Sequence, residues 1–69
     1  MRAIEYKYAV ALNLSIVNNE ESYIYDAIEQ ALTIAYELDI QVCLTNPFNG
    51  KFVIFNYWED AKDLFNKLK

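Results

Sequence analysis

Apolar residues at every second position from Ile4 to Ile16 constrain the fold of this chain more than any other feature. The apolar set is Ile4, Tyr6, Tyr8, Val10, Leu12, Leu14 and Ile16, and it alternates with Glu5, Lys7, Ala9, Ala11, Asn13 and Ser15. A period of two places successive side chains on opposite faces of a strand. The pattern therefore predicts a β-strand over residues 3–17 with one buried face.

The next segment has the spacing of an amphipathic helix over residues 20–38. Its predicted apolar face is Ile24, Ala27, Ile28, Ala31, Leu32, Ala35 and Leu38. Asn18 and Glu21 have the spacing of a capping box, in which side chains satisfy free N–H groups at a helix start. We therefore expect the helix to follow strand one almost directly.

Two further strands and a second helix complete the prediction. Alternation predicts a strand over residues 40–45, and a run that is apolar on both faces predicts a strand over residues 51–57. A hairpin loop joins them, in which Pro47 and Gly50 suit the turn. Asn56 is expected to cap the second helix. The predicted apolar stripe of that helix is Trp58, Ala61, Leu64, Phe65 and Leu68.

The order strand, helix, strand, strand, helix predicts a single α+β domain over residues 1–69. A helix between strands one and two implies that they run parallel, with a right-handed crossover. We expect strand three to lie between them in a three-stranded mixed sheet with both helices on one face. This arrangement is a ferredoxin-like split unit that lacks its last strand.

Residues 50–68 resemble part of an RNA-recognition-motif domain, namely its third strand and second helix. The residues that carry the resemblance are Gly50-Lys51-Phe52-Val53-Ile54-Phe55, Glu59-Asp60-Ala61 and Leu68. Phe52 matches one base-stacking aromatic of that family, whereas Gly50 and Val10 occupy the positions of two others. The resemblance implies a ferredoxin-like fold and, as an activity, RNA binding on the sheet.

Composition argues against several classes of function. The net charge is −4, and most non-specific affinity for nucleic acid comes from Lys and Arg, so a nucleic-acid partner is disfavoured. The chain has one cysteine and no histidine, which disfavours a zinc site, an internal disulfide and the usual proton carriers of enzymes. We therefore expect a non-enzymatic protein without cofactor or metal.

The chain carries no pattern of a secretory signal or of a membrane-spanning segment. Its one cysteine, Cys43, has no second cysteine to pair with, which fits a reducing compartment. The predicted location is the cytoplasm, without a membrane partner.

The predicted interaction surface is the sheet face that the helices leave open. Phe52 and Ile54 are its main candidates, and Ala9 and Ala11 are expected to share it with Cys43. Tyr25 and Tyr36 flank the apolar arc of the first helix and complete the candidate set. A contiguous exposed apolar patch is typical of a surface that binds a partner.

These features predict a small protein-interaction module that acts as an inhibitor or adaptor. A strand over residues 4–16 would span roughly 43 Å against roughly 28 Å for the first helix, so it either bends or is completed by another chain. We therefore expect a homodimer formed through strand one or the open sheet face, with any other protein partner unidentified.

The alternative function is linked to nucleic acid and takes one of two forms. In the first, Phe52 stacks on a base while Lys7 and Lys51 contact phosphates. In the second, the acidic helix faces imitate nucleic acid and block a protein that binds it. A weaker third reading is a structural subunit of a larger assembly.

Overall fold

The computed structural model describes residues 11–69 and contains three strands and two helices. In chain order they are β1 (Ala11–Ser15), α1 (Glu21–Leu38), β2 (Gln41–Asn46), β3 (Lys51–Phe55) and α2 (Ala61–Leu68). The predicted element order and the α+β class are confirmed. The predicted part of strand one before Ala11, including Ala9, lies outside the described residues.

The three strands form a mixed sheet in the order β1-β2-β3. β1 pairs in parallel with β2, with Leu12 opposite Val42 and Leu14 opposite Leu44. β3 pairs antiparallel with β2 through the hairpin. The prediction that strand three lies between the other two, as in a split ferredoxin-like unit, is therefore wrong. The parallel crossover joins neighbouring strands, so β2 is central while β1 and β3 are the edges.

Both helices cover the same face of the sheet, as predicted. Val42 and Leu44 of β2 and Val53 and Phe55 of β3 are buried on this face. They form one cluster with buried side chains of the helices: Ile24, Ile28, Ala31 and Ala35 of α1, and Leu64, Phe65 and Leu68 of α2. The cluster forms because the helical period and the strand period each bring apolar residues to a single side.

The buried apolar faces of the two helices are shorter than the sequence predicts. Leu38 in the last turn of α1 and Trp58 before α2 are both exposed. Leu12 also remains exposed, although it is on the covered side of β1. β1 is an edge strand, so the helical layer covers it less completely than it covers β2.

The helix starts also differ from the predictions. α2 begins at Ala61, and its cap is Asp60, whose carboxylate accepts hydrogen bonds from the N–H groups of Lys62 and Asp63. The expected cap, Asn56, lies in the loop before it. At α1 the helix starts at Glu21, and Asn18 instead accepts a hydrogen bond from the N–H of Glu20 at 2.9 Å. Both predicted caps are therefore wrong by two or more residues.

Asn46 is a fully buried polar residue at the end of β2, where the sequence predicts a loop. Its Nδ2 group donates to Asn19 Oδ1 at 3.0 Å and to the carbonyl of Leu68 at 2.9 Å. Its Oδ1 accepts from the N–H of Phe48 at 3.0 Å. Asn46 therefore ties the start of α1, the hairpin turn and the end of α2 to the central strand.

Candidate interaction surfaces

The sheet face opposite the helices is the first candidate surface, here called the open face. By strand register it comprises Ala11, Asn13 and Ser15 of β1, Gln41, Cys43 and Thr45 of β2, and Phe52 and Ile54 of β3. Phe52 is 61% exposed and Ile54 is 53% exposed. The structure thus places both residues on the uncovered side, as the sequence predicts.

The open face carries no formal charge. Its residues are apolar, small or neutral polar. Lys51 of β3 is opposite the buried Asn46 in the strand register, so its side chain points to the covered side of the sheet. The lysine ammonium group donates to the carbonyl of Lys69 at 2.7 Å. The charged residues that give the chain its net charge of −4 are therefore not among the described residues of this face.

The strand order changes how the open face is laid out. In the predicted order Phe52 and Ile54 would lie at its centre, on the middle strand. In the structure they lie on edge strand β3, and the half-buried Cys43 and Thr45 occupy the centre. The most exposed apolar side chains of the open face therefore lie at an edge of the sheet formed by the described residues, where a second chain can reach both the side chains and the backbone of β3.

The remaining predicted interaction residues do not form one surface. Ala11 lies on the open face, and Ala9 is outside the described residues. Tyr25 is half-buried because its ring stacks on Phe65, with centroids 4.3 Å apart and planes 6° from parallel. Tyr36 is exposed at the other end of α1. Tyr25 thus joins the two helices.

A second candidate surface, which sequence reasoning missed, is an aromatic strip of Tyr36, Tyr57 and Trp58. The Tyr36 and Tyr57 rings are 5.4 Å apart at 75°, and the Tyr57 and Trp58 rings are 5.3 Å apart at 72°. The three residues are 68%, 42% and 64% exposed, respectively. Two adjacent aromatic residues followed by two acidic ones, Tyr57-Trp58-Glu59-Asp60, could have indicated an exposed aromatic surface. The helical spacing instead predicted that Trp58 is part of the core.

Neither a cluster of metal ligands nor an enclosed pocket is found within residues 11–69. No three His, Cys, Asp or Glu side chains within residues 11–69 are grouped closely enough to hold a metal ion. Over the same range there is no enclosed pocket for a small molecule. Cys43 is a half-buried free thiol in the central strand. What these residues present is surface rather than a cleft.

Comparison with known proteins identifies no family and no relative for this chain, since no protein-family model, curated protein or solved structure matches it. Among the described helices, none combines the length and the apolar character needed to cross a bilayer.

Proposed function

We propose that this chain is a non-enzymatic protein-interaction module that binds through its open face. The observation that carries the proposal is the exposure of Phe52 and Ile54 side by side on an edge strand. Exposed apolar side chains that lie together favour association, because a partner removes them from water. An inhibitor or adaptor uses a surface of this kind to occupy a partner.

The absence of charge on the open face supports a second copy of the chain as the partner. Two copies with a net charge of −4 each repel one another unless they meet at a neutral surface. The open face meets that condition in its described residues, whereas the outer side of α1 carries exposed Asp26, Glu29 and Glu37. The open face is thus where self-association costs least electrostatically.

The size of the open face limits the strength of such a dimer. Strands of five, six and five residues, at about 3.3 Å per residue and about 4.8 Å between strands, cover only about 250 Å². A stable interface buries about 800 Å² per partner. The rest of the interface must come from outside this area, either from the outer edge of β1 in the described sheet or from residues 3–10, where the sequence predicts that strand one continues.

A matched pair of substitutions tests the proposal. Phe52→Asp puts a carboxylate on the open face, while Phe48→Asp makes the same chemical change at a residue that is 55% exposed in the hairpin turn. Light scattering and sedimentation over a range of protein concentrations report the mass of each variant. We expect the wild type and Phe48→Asp to dimerise and Phe52→Asp to remain monomeric, with unchanged circular dichroism.

Two outcomes would refute the proposed dimer. One is a wild type that stays monomeric up to millimolar concentration. The other is an equal loss of dimer in Phe52→Asp and Phe48→Asp, because the added charge rather than its position on the open face would then be the cause.

The nucleic-acid alternative has weaker support in the described residues. Phe52 is exposed enough to stack on a base, but the open face around it presents no Lys or Arg to hold phosphates. Oligonucleotide binding that falls steeply with salt and is lost in Phe52→Asp would favour it over self-association.

A further inference from the structure

The aromatic strip of Tyr36, Tyr57 and Trp58 is separate from the open face, and the proposed dimer does not use it. Isolated exposed aromatic residues are common on protein surfaces and need no explanation. Here the Tyr57 ring contacts both Tyr36, in the last turn of α1, and Trp58, its neighbour in the loop before α2, so the three form a continuous apolar surface. They pack edge to face, so the outer rings, Tyr36 and Trp58, remain largely open to a ligand.

The residues that adjoin the strip in the sequence carry only negative charge. Glu37 follows Tyr36 and Glu59 follows Trp58, and the stretches 36–39 and 56–60 contain no Lys or Arg. An aromatic face attracts a cation through its quadrupole, most strongly at tryptophan. A carboxylate next to such a face strengthens the preference for a positively charged group.

We propose that this strip binds an arginine-containing segment of a partner protein. A guanidinium group is planar, so it stacks on an aromatic ring while its N–H groups pair with a carboxylate in two parallel hydrogen bonds. Lysine presents a more strongly hydrated point charge and stacks less well. The strip therefore selects arginine over lysine, and a basic segment over a neutral one.

The single tryptophan gives a direct assay, because Trp58 is the only one in the chain. The probes are blocked tetra-arginine, tetra-lysine and tetra-glutamine peptides, titrated into the full chain while Trp58 fluorescence is followed. We expect a saturable change with tetra-arginine, binding a few-fold weaker with tetra-lysine, and no response with tetra-glutamine.

Matched variants separate the strip from general attraction to an acidic protein. Tyr36→Ala removes one ring of the strip, and Tyr23→Ala removes another exposed tyrosine of α1. We expect Tyr36→Ala to weaken tetra-arginine binding about three- to five-fold, as is typical of an exposed cation–π contact, and Tyr23→Ala to leave it unchanged. Glu37→Gln, with Glu29→Gln as its control, tests the carboxylate without altering ring packing.

The proposal fails if tetra-arginine produces no saturable change in Trp58 fluorescence. It also fails if Tyr36→Ala and Tyr23→Ala weaken binding equally, or if tetra-lysine binds as tightly as tetra-arginine. None of these results bears on the dimer, which is measured separately through Phe52.

Discussion

Replacing Asn46 by alanine tests how far one buried polar residue holds this fold together. The substitution removes the two hydrogen bonds donated to Asn19 and Leu68 and the one accepted from Phe48. At about 1 kcal/mol each, the loss is about 3 kcal/mol. A domain of this length has a free energy of unfolding of only about 3 to 10 kcal/mol. Asn46→Ala should therefore remove a third or more of the stability.

Asn49→Ala is the matched control. Asn49 donates to the same Leu68 carbonyl at 2.9 Å and accepts from the N–H of Lys51, but it is exposed, so water replaces part of what is lost. We expect a cost of about 1 kcal/mol or less. The double variant should lose more than the sum of the two, because the buried Leu68 carbonyl then has neither amide donor.

The assay is thermal and urea unfolding followed by circular dichroism. For a domain of this size, 1 kcal/mol lowers the melting temperature by about 4 to 8 °C, so Asn46→Ala should melt more than about 10 °C below the wild type. A loss under about 1 kcal/mol, or one no larger than that of Asn49→Ala, would refute the role assigned to the buried amide.

Two further substitutions test other contacts. Asp60→Ala removes the side-chain cap of the eight-residue helix α2 and should lower the free energy of unfolding in urea by about 1 kcal/mol. Asp60→Asn should retain most of the stability that the cap provides. Equal stability of the wild type and both variants would contradict the cap. Tyr25→Ala removes the ring stacked on Phe65 and should lower the free energy of unfolding by about 2 to 4 kcal/mol. Tyr23→Ala, at an exposed tyrosine of the same helix, should lower it by under about 1 kcal/mol. Similar melting temperatures for the two variants would contradict the stack.

Local periodicity was sufficient to predict most of the core. The buried positions Ile24, Ile28, Ala31 and Ala35 of α1 follow from a repeat of 3.6 residues, and Val42 and Leu44 follow from a repeat of two. These repeats lie within one element and depend only on backbone geometry. The exposure of Phe52 and Ile54 followed from the same rule once the helices were assigned to the other face.

The errors arose where one element meets another. Trp58 has the right chemistry for a core stripe, but α2 begins at Ala61, so its ring packs against Tyr57 at the surface instead. Tyr25 has the sequence signature of a half-exposed flank, and only the approach of α2 gives its ring a partner in Phe65. The candidate surfaces were accordingly predicted in part: the open face was anticipated, and the aromatic strip was not.

The sequence by itself determined the order of the elements, their faces and the exposure of Phe52 and Ile54 on the open face, because each depends on residues close together in the chain. Only the tertiary structure decided that β2 is the central strand, that Asn46 is buried among three elements, and that Phe52 and Ile54 border a sheet edge. A helical crossover is long enough to join two parallel strands that are neighbours or that have a third strand between them. The choice therefore rests on how the whole core packs, which no local pattern records.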